Sequence, residues 1–166
     1  MDVKKIIILG NSGSGKSTFA KQLVDRYGLA HFDLDTVAWK PSLPPEREEL
    51  TVSLSKVMEF IDKEEQWVIE GCYSDLLEKI LGFANELMFL DLPVAQCIDN
   101  ARKRPWEPHK YESKQAQDAN LAMLLDWIAD YEVRDDEFSL KSHSKLYERF
   151  KGKKSRLHQN TKIEGC

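Results

Sequence analysis

The sequence predicts an α/β fold, a parallel sheet flanked by helices, and three observations predict it. Val3 to Leu9 ends in an unbroken aliphatic run with a glycine-rich turn directly behind it, the pattern of a strand buried on both faces. Short apolar runs then alternate with segments whose apolar residues recur at three-and-four spacing, the order of βαβ units. Asp33, Glu70 and Asp91 stand at the ends of three of those runs. In open parallel sheets that edge is where ligands bind.

In chain order, the first strand should be central, and the glycine-rich turn leads into a helix. Ser17 to Tyr27 carries Ala20, Leu23, Val24 and Tyr27 at helical spacing, and Gly28 sits where a left-handed C-cap stops the helix. A second strand is expected over Ala30 to Leu34, ending in Asp33 and Asp35, before Pro41, Pro44 and Pro45 break regular structure. From Glu46 to about Lys63, Leu50, Leu54, Val57 and Ile61 form an apolar stripe, and acidic residues crowd the first turn, where the helix dipole favours them. This helix should cover the substrate side. Trp67 to Ile69 reads as a third strand running into Glu70-Gly71, and Glu86 to Leu92 as a fourth, with Leu76 to Leu81 as a short helix between them. Val94 to Lys103 is a further helix, leading into the basic, proline-containing stretch Arg102 to Lys110. Leu121, Leu124, Leu125, Ile128 and Tyr131 share one stripe of a long helix over Gln115 to Tyr131, with Met123 and Trp127 as packing or rim residues. Beyond Ser142 a helical piece is expected near Leu146 to Phe150, and an edge strand near Arg156 to His158.

At 166 residues the chain fits one domain. With 42% hydrophobic and 31% charged residues, it should fold by itself rather than stay disordered. Its net charge of -4 offers no general attraction to a polyanion, so nucleic acid is an unlikely partner unless a local basic patch provides one. The tail cations Lys141, Lys145, Arg149, Lys151, Lys153, Lys154 and Arg156 are the candidates for such a patch. Cys72, Cys97 and Cys166 lie far apart without ligand-like spacing, which suggests reduced thiols in a cytoplasmic protein. The apolar run Ile6 to Leu9 is too brief for a signal segment or a membrane span. A monomer or homodimer is expected.

Gly10-Asn11-Ser12-Gly13-Ser14-Gly15-Lys16-Ser17 matches the phosphate-binding pattern G-x-x-x-x-G-K-[ST] without a mismatch, between a hydrophobic strand and a helix as the mechanism requires. Its glycines let successive N–H groups point into one concave anion site, and the helix N-terminus adds partial positive charge. Lys16 would meet the β and γ phosphates of a nucleoside triphosphate, most simply ATP. Ser17 would ligate Mg2+, and Thr18 would donate to the α phosphate. Asp33 and Asp35, two apart, should leave their strand on the same side, Asp33 toward magnesium and Asp35 toward the proton of an attacking hydroxyl. Glu70 is a second candidate for magnesium-bound water or for the base, and the residues do not choose between Glu70 and Asp35. Arg102 and Arg104 are placed to stabilise a migrating phosphoryl group, and Arg134 to reach back toward nucleotide or substrate.

Together, the loop, the Asp33-Leu34-Asp35 strand end, Val68-Ile69-Glu70-Gly71 and Leu90-Asp91-Leu92-Pro93 resemble the adenylate-kinase-like branch of P-loop kinases. With His31 to Asp35, Trp39 and Trp67 to Tyr73 added, the chain is similar to FlaR-type DNA topology modulation proteins. The branch implies a three-layer P-loop fold of strand order 2-3-1-4-5, a substrate-covering segment over 41–63 and a lid over 102–113. By analogy with shikimate kinases, Asp33 matches the magnesium-side residue and Asp35 the substrate-side residue. By analogy with adenylate kinases, Glu70-Gly71 matches an acidic-glycine pair on the third strand and Arg104 the first lid arginine. Trp39 and Tyr73 join Asp35 and Glu70 on the acceptor side. Two positions depart from the pattern: Asn100 stands where a basic residue is expected, and Trp106-Glu107-Pro108-His109 is no arginine-rich lid. The implied activity is ATP-dependent phosphoryl transfer to a small molecule such as a nucleotide or nucleoside. The rival is a nucleotide-dependent regulator associated with DNA, or a catalytically weak binding module.

Overall fold

The computed structural model describes residues 3–42 and 44–160, so Cys166 lies outside the described residues. Five strands, β1 (Lys5–Gly10), β2 (Ala30–Asp33), β3 (Trp67–Gly71), β4 (Glu86–Leu90) and β5 (Lys153–Leu157), form one sheet of order β2-β3-β1-β4-β5. Every pairing in it is parallel. The strand order is the one expected. Seven helices among the described residues flank the sheet: α1 (Lys16–Tyr27), α2 (Asp35–Ala38), α3 (Leu50–Lys63), α4 (Ser74–Ile80), α5 (Val94–Arg102), α6 (Lys114–Ala129) and α7 (Leu140–Arg149).

Because side chains alternate across a strand, β1 divides its aliphatic run between two cores. Ile7 and Leu9 pack on one face with Val57, Ile61, Leu77 and Leu146 from α3, α4 and α7. Ile6 and Ile8 pack on the other with Phe19, Leu23, Cys97 and Ile128 from α1, α5 and α6. Each such fully buried aliphatic side chain stabilises the fold by about 1.5–3 kcal/mol relative to exposure. That double burial explains why β1 and β3 read as continuous apolar runs.

Local signals set most boundaries, and Gly28 ends α1 at φ 68°, its N–H donating to the Val24 carbonyl at 2.8 Å. Four expectations need correction. Helix α3 starts at Leu50, not Glu46, because Arg47 forms an antiparallel bridge with Trp39 while the Lys40 and Glu48 N–H groups donate to Glu46 and Ala38 carbonyls. Propensity favoured a helix there, and tertiary pairing took the backbone groups instead. Helix α7 starts at Leu140, capped by the Ser139 side chain, and β5 runs over Lys153–Leu157. Asp35 is not on a strand, since β2 stops at Asp33 and Asp35 opens α2.

His143, fully buried, ties α7 to the segment after β3. Its Nε2 lies 2.8 Å from the Cys72 carbonyl and its Nδ1 2.7 Å from the Tyr131 hydroxyl. A carbonyl only accepts, so Nε2 carries the proton and Nδ1 accepts from Tyr131. Burial holds the imidazole pKa down to about 3 against an ordinary 6.5. Between those values the unfolded chain binds a proton that the folded chain refuses, so this group's contribution is complete above about pH 6.5 and is lost as pH falls. We expect urea unfolding to show stability falling below pH 6.5 by up to about 1.4 kcal/mol per pH unit from this one group. His143→Gln, though less stable at neutral pH, should lose that part of the slope.

Candidate nucleotide and acceptor site

The loop between β1 and α1 is shaped by glycine. Gly13 and Gly15 take φ of 79° and 89°, and a Cβ on Gly13 would lie 2.3 Å from the Cys97 carbonyl oxygen. Larger residues are therefore excluded both by strain and by contact. The loop is held from outside by amides: Asn100 Nδ2 donates to the Gly13 carbonyl at 2.9 Å, and Asn160 Nδ2 to the Ser14 carbonyl at 2.9 Å. Asn100 also donates to Asn160 Oδ1 at 3.0 Å. These bonds account for Asn100 where a cation was expected, since an amide braces two acceptors without adding charge. Asn11, Ser14 and Gly13 are buried, Ser12 is partly so, and Thr18 is exposed in the first turn of α1. Lys16 Nζ donates to the Asn11 carbonyl at 2.7 Å, within the loop itself.

Across from the loop, the end of β3 brings Glu70 beneath α1. Ser17 Oγ donates to Glu70 Oε1 at 2.9 Å, and His31 Nε2 lies 2.7 Å from Oε2. Glu70 is only 2% exposed. Its hydrogen bond, aided by its charge, raises the His31 pKa against the lowering by burial. His31 was not singled out as a site residue from the sequence. The parallel register that sets Asp33 opposite Glu70 is the signal that would have placed it, two residues back on the neighbouring strand.

The two aspartates converge by a different route from the one expected. Asp33 Oδ1 accepts the Asp35 N–H at 2.9 Å, turning the chain from β2 into α2, so a cap replaces strand alternation. Lys110 closes the arrangement: its Nζ lies 2.7 Å from Asp35 Oδ2, 3.3 Å from Asp33 Oδ2 and 3.4 Å from Glu107 Oε2. Burial opposes the charged form of each group. For Asp35 the ammonium and the Tyr73 hydroxyl outweigh it and hold the carboxyl below its usual range. For Asp33, burial together with the Asp35 and Glu70 charges raises the carboxyl pKa. The Asp35 and Asp33 carboxylates in turn push the Lys110 ammonium above its ordinary value despite burial. His109 adds a looser contact, Nε2 to Asp33 Oδ2 at 3.5 Å.

Beyond Asp35 lies an aromatic wall. The Tyr73 hydroxyl donates to Asp35 Oδ1 and accepts from Trp39 Nε1, the latter at 2.8 Å. Phe138 stacks on Trp39 at 6.4 Å between centroids, and the Arg47 guanidinium sits 4.9 Å from the Tyr73 ring centre. Arg47 is saturated from behind by Asp75 and Glu137, each at 3.0 Å, and by the Ala38 carbonyl at 3.2 Å. Trp39, Tyr73, Asp35 and Asp33 are thus brought together, joined by Arg47, Phe138 and Lys110, none of which was singled out as a site residue from the sequence.

The remaining arginines stand elsewhere. Arg102 is exposed at the end of α5. Arg104 donates to Glu107 Oε1 at 3.3 Å, and Arg134 lies over the Trp127 ring at 4.3 Å while bonding its carbonyl. Cys72 is buried beside the site, and burial pushes its thiol up to about 12, so it stays protonated and serves as packing.

A family profile described as AAA domain matches residues 6–120, which takes in the loop, both aspartates, Glu70 and Lys110. The chain belongs to the AAA domain family. This AAA domain is similar in structure to a gluconokinase from Sinorhizobium meliloti 1021, with a TM-score of 0.57 and 15% identity over 95% of this chain and 84% of that one. Shikimate kinases from Acinetobacter baumannii, solved with shikimate, and from Bacteroides thetaiotaomicron also match. The first has a TM-score of 0.45 and 16% identity over 87% of this chain and 91% of its own. The second has 0.46 and 15% over 87% and 97%. No curated protein matches in sequence. No helix among the described residues is long and apolar enough to cross a membrane.

The donor set of this AAA domain fits Mg2+ brought by a nucleotide. Among the described residues no group of three or more His, Cys, Asp or Glu side chains forms a cage, whereas magnesium typically takes one or two protein oxygens and the rest from phosphates and water. Ser17 Oγ and Glu70, with Asp33 opposite Glu70 on the neighbouring strand, are hard oxygen donors of that kind. Ser17 touches Glu70 rather than Asp33, which makes Glu70 the nearer of the two carboxylates to this role.

Proposed function

We propose that this AAA domain protein transfers the γ-phosphoryl group of ATP to a hydroxyl of a small molecule, with nucleosides and nucleotides among the candidate acceptors. The observation that carries this reading is the gathering of Asp33, Asp35 and Lys110 at the same sheet edge as the Gly10 to Ser17 loop. Main-chain amides of the loop and Lys16 would grip the phosphates. Ser17, with Glu70 or Asp33, would hold magnesium, which neutralises charge on the phosphates. Asp35 stands beside Tyr73 on the aromatic wall, whereas Glu70 is held beneath α1 by Ser17 and His31, which supports Asp35 as the group that orients the acceptor hydroxyl and takes its proton. The Lys110 charge keeps Asp35 ionised and ready to accept. Lys110, with Arg104 and Arg102 from the same segment, would then meet the migrating phosphoryl group as the lid closes.

The similarity to FlaR-type DNA topology modulation proteins supports a DNA-linked alternative. The tail cations give it little support, since Arg149, Lys153 and Arg156 face Glu78, Glu86 and Asp91. A coupled-turnover screen over nucleosides, nucleoside monophosphates and small polyols tests the kinase reading. At least one acceptor should raise ADP release above the ATPase background. ATP binding with no stimulated turnover would refute it.

A further inference from the structure

We infer that Asn100 and Asn160 are positioning residues for the phosphate loop: their side-chain amides turn two loop carbonyls outward, so that the N–H groups of the same peptides face the concave side that receives a triphosphate. This inference rests on the triphosphate-binding part of the kinase reading and is independent of the acceptor.

The peptide unit is planar and trans, so a C=O and the N–H that follows it point in opposite directions. Gly13 and Gly15, at φ of 79° and 89°, tolerate many backbone conformations, so bonds from outside the loop decide how its peptides face. Asn100 Nδ2 holds the Gly13 carbonyl at 2.9 Å, and this directs the Ser14 N–H inward, where it meets the Asn11 carbonyl at 3.1 Å. Lys16 Nζ reaches that same oxygen at 2.7 Å, which marks it as the inner side of the loop. Asn160 Nδ2 holds the Ser14 carbonyl at 2.9 Å and so directs the Gly15 N–H inward as well. Among the described residues no carbonyl accepts that N–H.

The two amides act in one orientation only. Gln96 Nε2 donates to Asn100 Oδ1 at 2.9 Å, and Asn100 Nδ2 donates to Asn160 Oδ1 at 3.0 Å. Reversing either amide would set oxygen against oxygen at the loop. Asn160 arrives there through the edge strand: Leu157 of β5 lies opposite Leu90 of β4, and the Asp91 N–H donates to the Leu157 carbonyl at 2.7 Å. Three residues on, Asn160 is seated so closely that a Cβ on Gly15 would lie 2.7 Å from its Nδ2. Helix α5 and the chain after β5 thus brace the loop with neutral donors from outside.

Asn100→Asp and Asn160→Asp keep the side-chain shape and remove the donor. Calorimetry with Mg2+ should show ATP and inorganic tripolyphosphate weakened by the same factor in each variant, about 3- to 30-fold, because one hydrogen bond is lost and a carboxylate faces a loop carbonyl. The melting temperature of the ligand-free protein should hardly move for Asn160→Asp, since Asn160 is exposed. By NMR, the Gly15 amide proton should shift downfield on adding tripolyphosphate to the unaltered protein, and by less in Asn160→Asp. Weakening of ATP alone would assign the amides to the nucleoside and overturn the inference, as would unchanged affinity for both ligands or binding of ATP without tripolyphosphate by the unaltered protein. A fall in melting temperature matching the lost affinity in both variants would make the amides braces of the fold and overturn it too. Failure of the unaltered protein to bind either ligand refutes the phosphate-loop reading itself, and this inference with it.

Discussion

Asp35→Asn is expected to lower kcat about 10²- to 10⁴-fold, the range that a positioned general base contributes. ATP affinity should change little, because Asp35 touches Tyr73 and Lys110 and not the phosphate loop. Asparagine keeps the shape and the acceptor oxygen but carries no charge, so it neither takes the acceptor proton nor holds Lys110 in place. Stopped-flow turnover and calorimetry with the same preparation separate the two effects. Loss of nucleotide binding alongside turnover would mean that Asp35 acts on the loop. Unchanged turnover would move the base to Glu70. That second outcome is physically distinct, since Glu70 reaches the site through Ser17 and His31, and its removal should disturb magnesium dependence rather than acceptor dependence.

Lys16→Ala should weaken ATP binding by about 10- to 100-fold, the value of one or two charge-assisted hydrogen bonds. It should also lower kcat by about 10²- to 10³-fold more, because charge on the migrating oxygens is met by a fixed cation in the transition state. Among the described residues Lys16 Nζ bonds inward, to the Asn11 carbonyl of its own loop, so little of the fold depends on it. Thermal denaturation should therefore hardly shift. A large drop in melting temperature would show Lys16 to be structural, and unchanged calorimetric heats with ATP and Mg2+ would remove the phosphate-binding role altogether.

Particular residues show how far the sequence reads through to the site. The G-x-x-x-x-G-K-[ST] pattern was legible because its mechanism is local: three glycines, a helix start and one lysine act within eight consecutive positions. Asp33 and Asp35 were legible as a pair, though for a reason the fold replaced. Strand alternation put them on one side, whereas an Asp33 cap on the Asp35 N–H brings them together. Arg104 was singled out as the lid cation from position in the chain. It bonds Glu107, and Lys110, six residues on, lies between the aspartates. No spacing rule distinguishes these cations, because residues 103–113 form neither helix nor strand.

Arg47 is the clearest case of a residue that sequence pattern misplaced. Acidic neighbours and the apolar stripe beyond them put it in the first turn of a helix. Its backbone instead pairs with Trp39, and its side chain answers Asp75 and Glu137, 28 and 90 positions away. His143 was equally silent, a single histidine in a polar stretch that becomes fully buried once α7 docks against the chain after β3.

By itself the sequence determined the α/β class, the phosphate loop and the acids at the sheet edge, since hydrophobic period and glycine placement act on the backbone within a few residues. Tertiary structure decided which cation meets which acid: Lys110 at the aspartates, Arg47 behind the aromatic wall, His31 on Glu70. Charge pairing depends on distance in space, and residues far apart in the chain acquire that distance only when the sheet and its covering segments close.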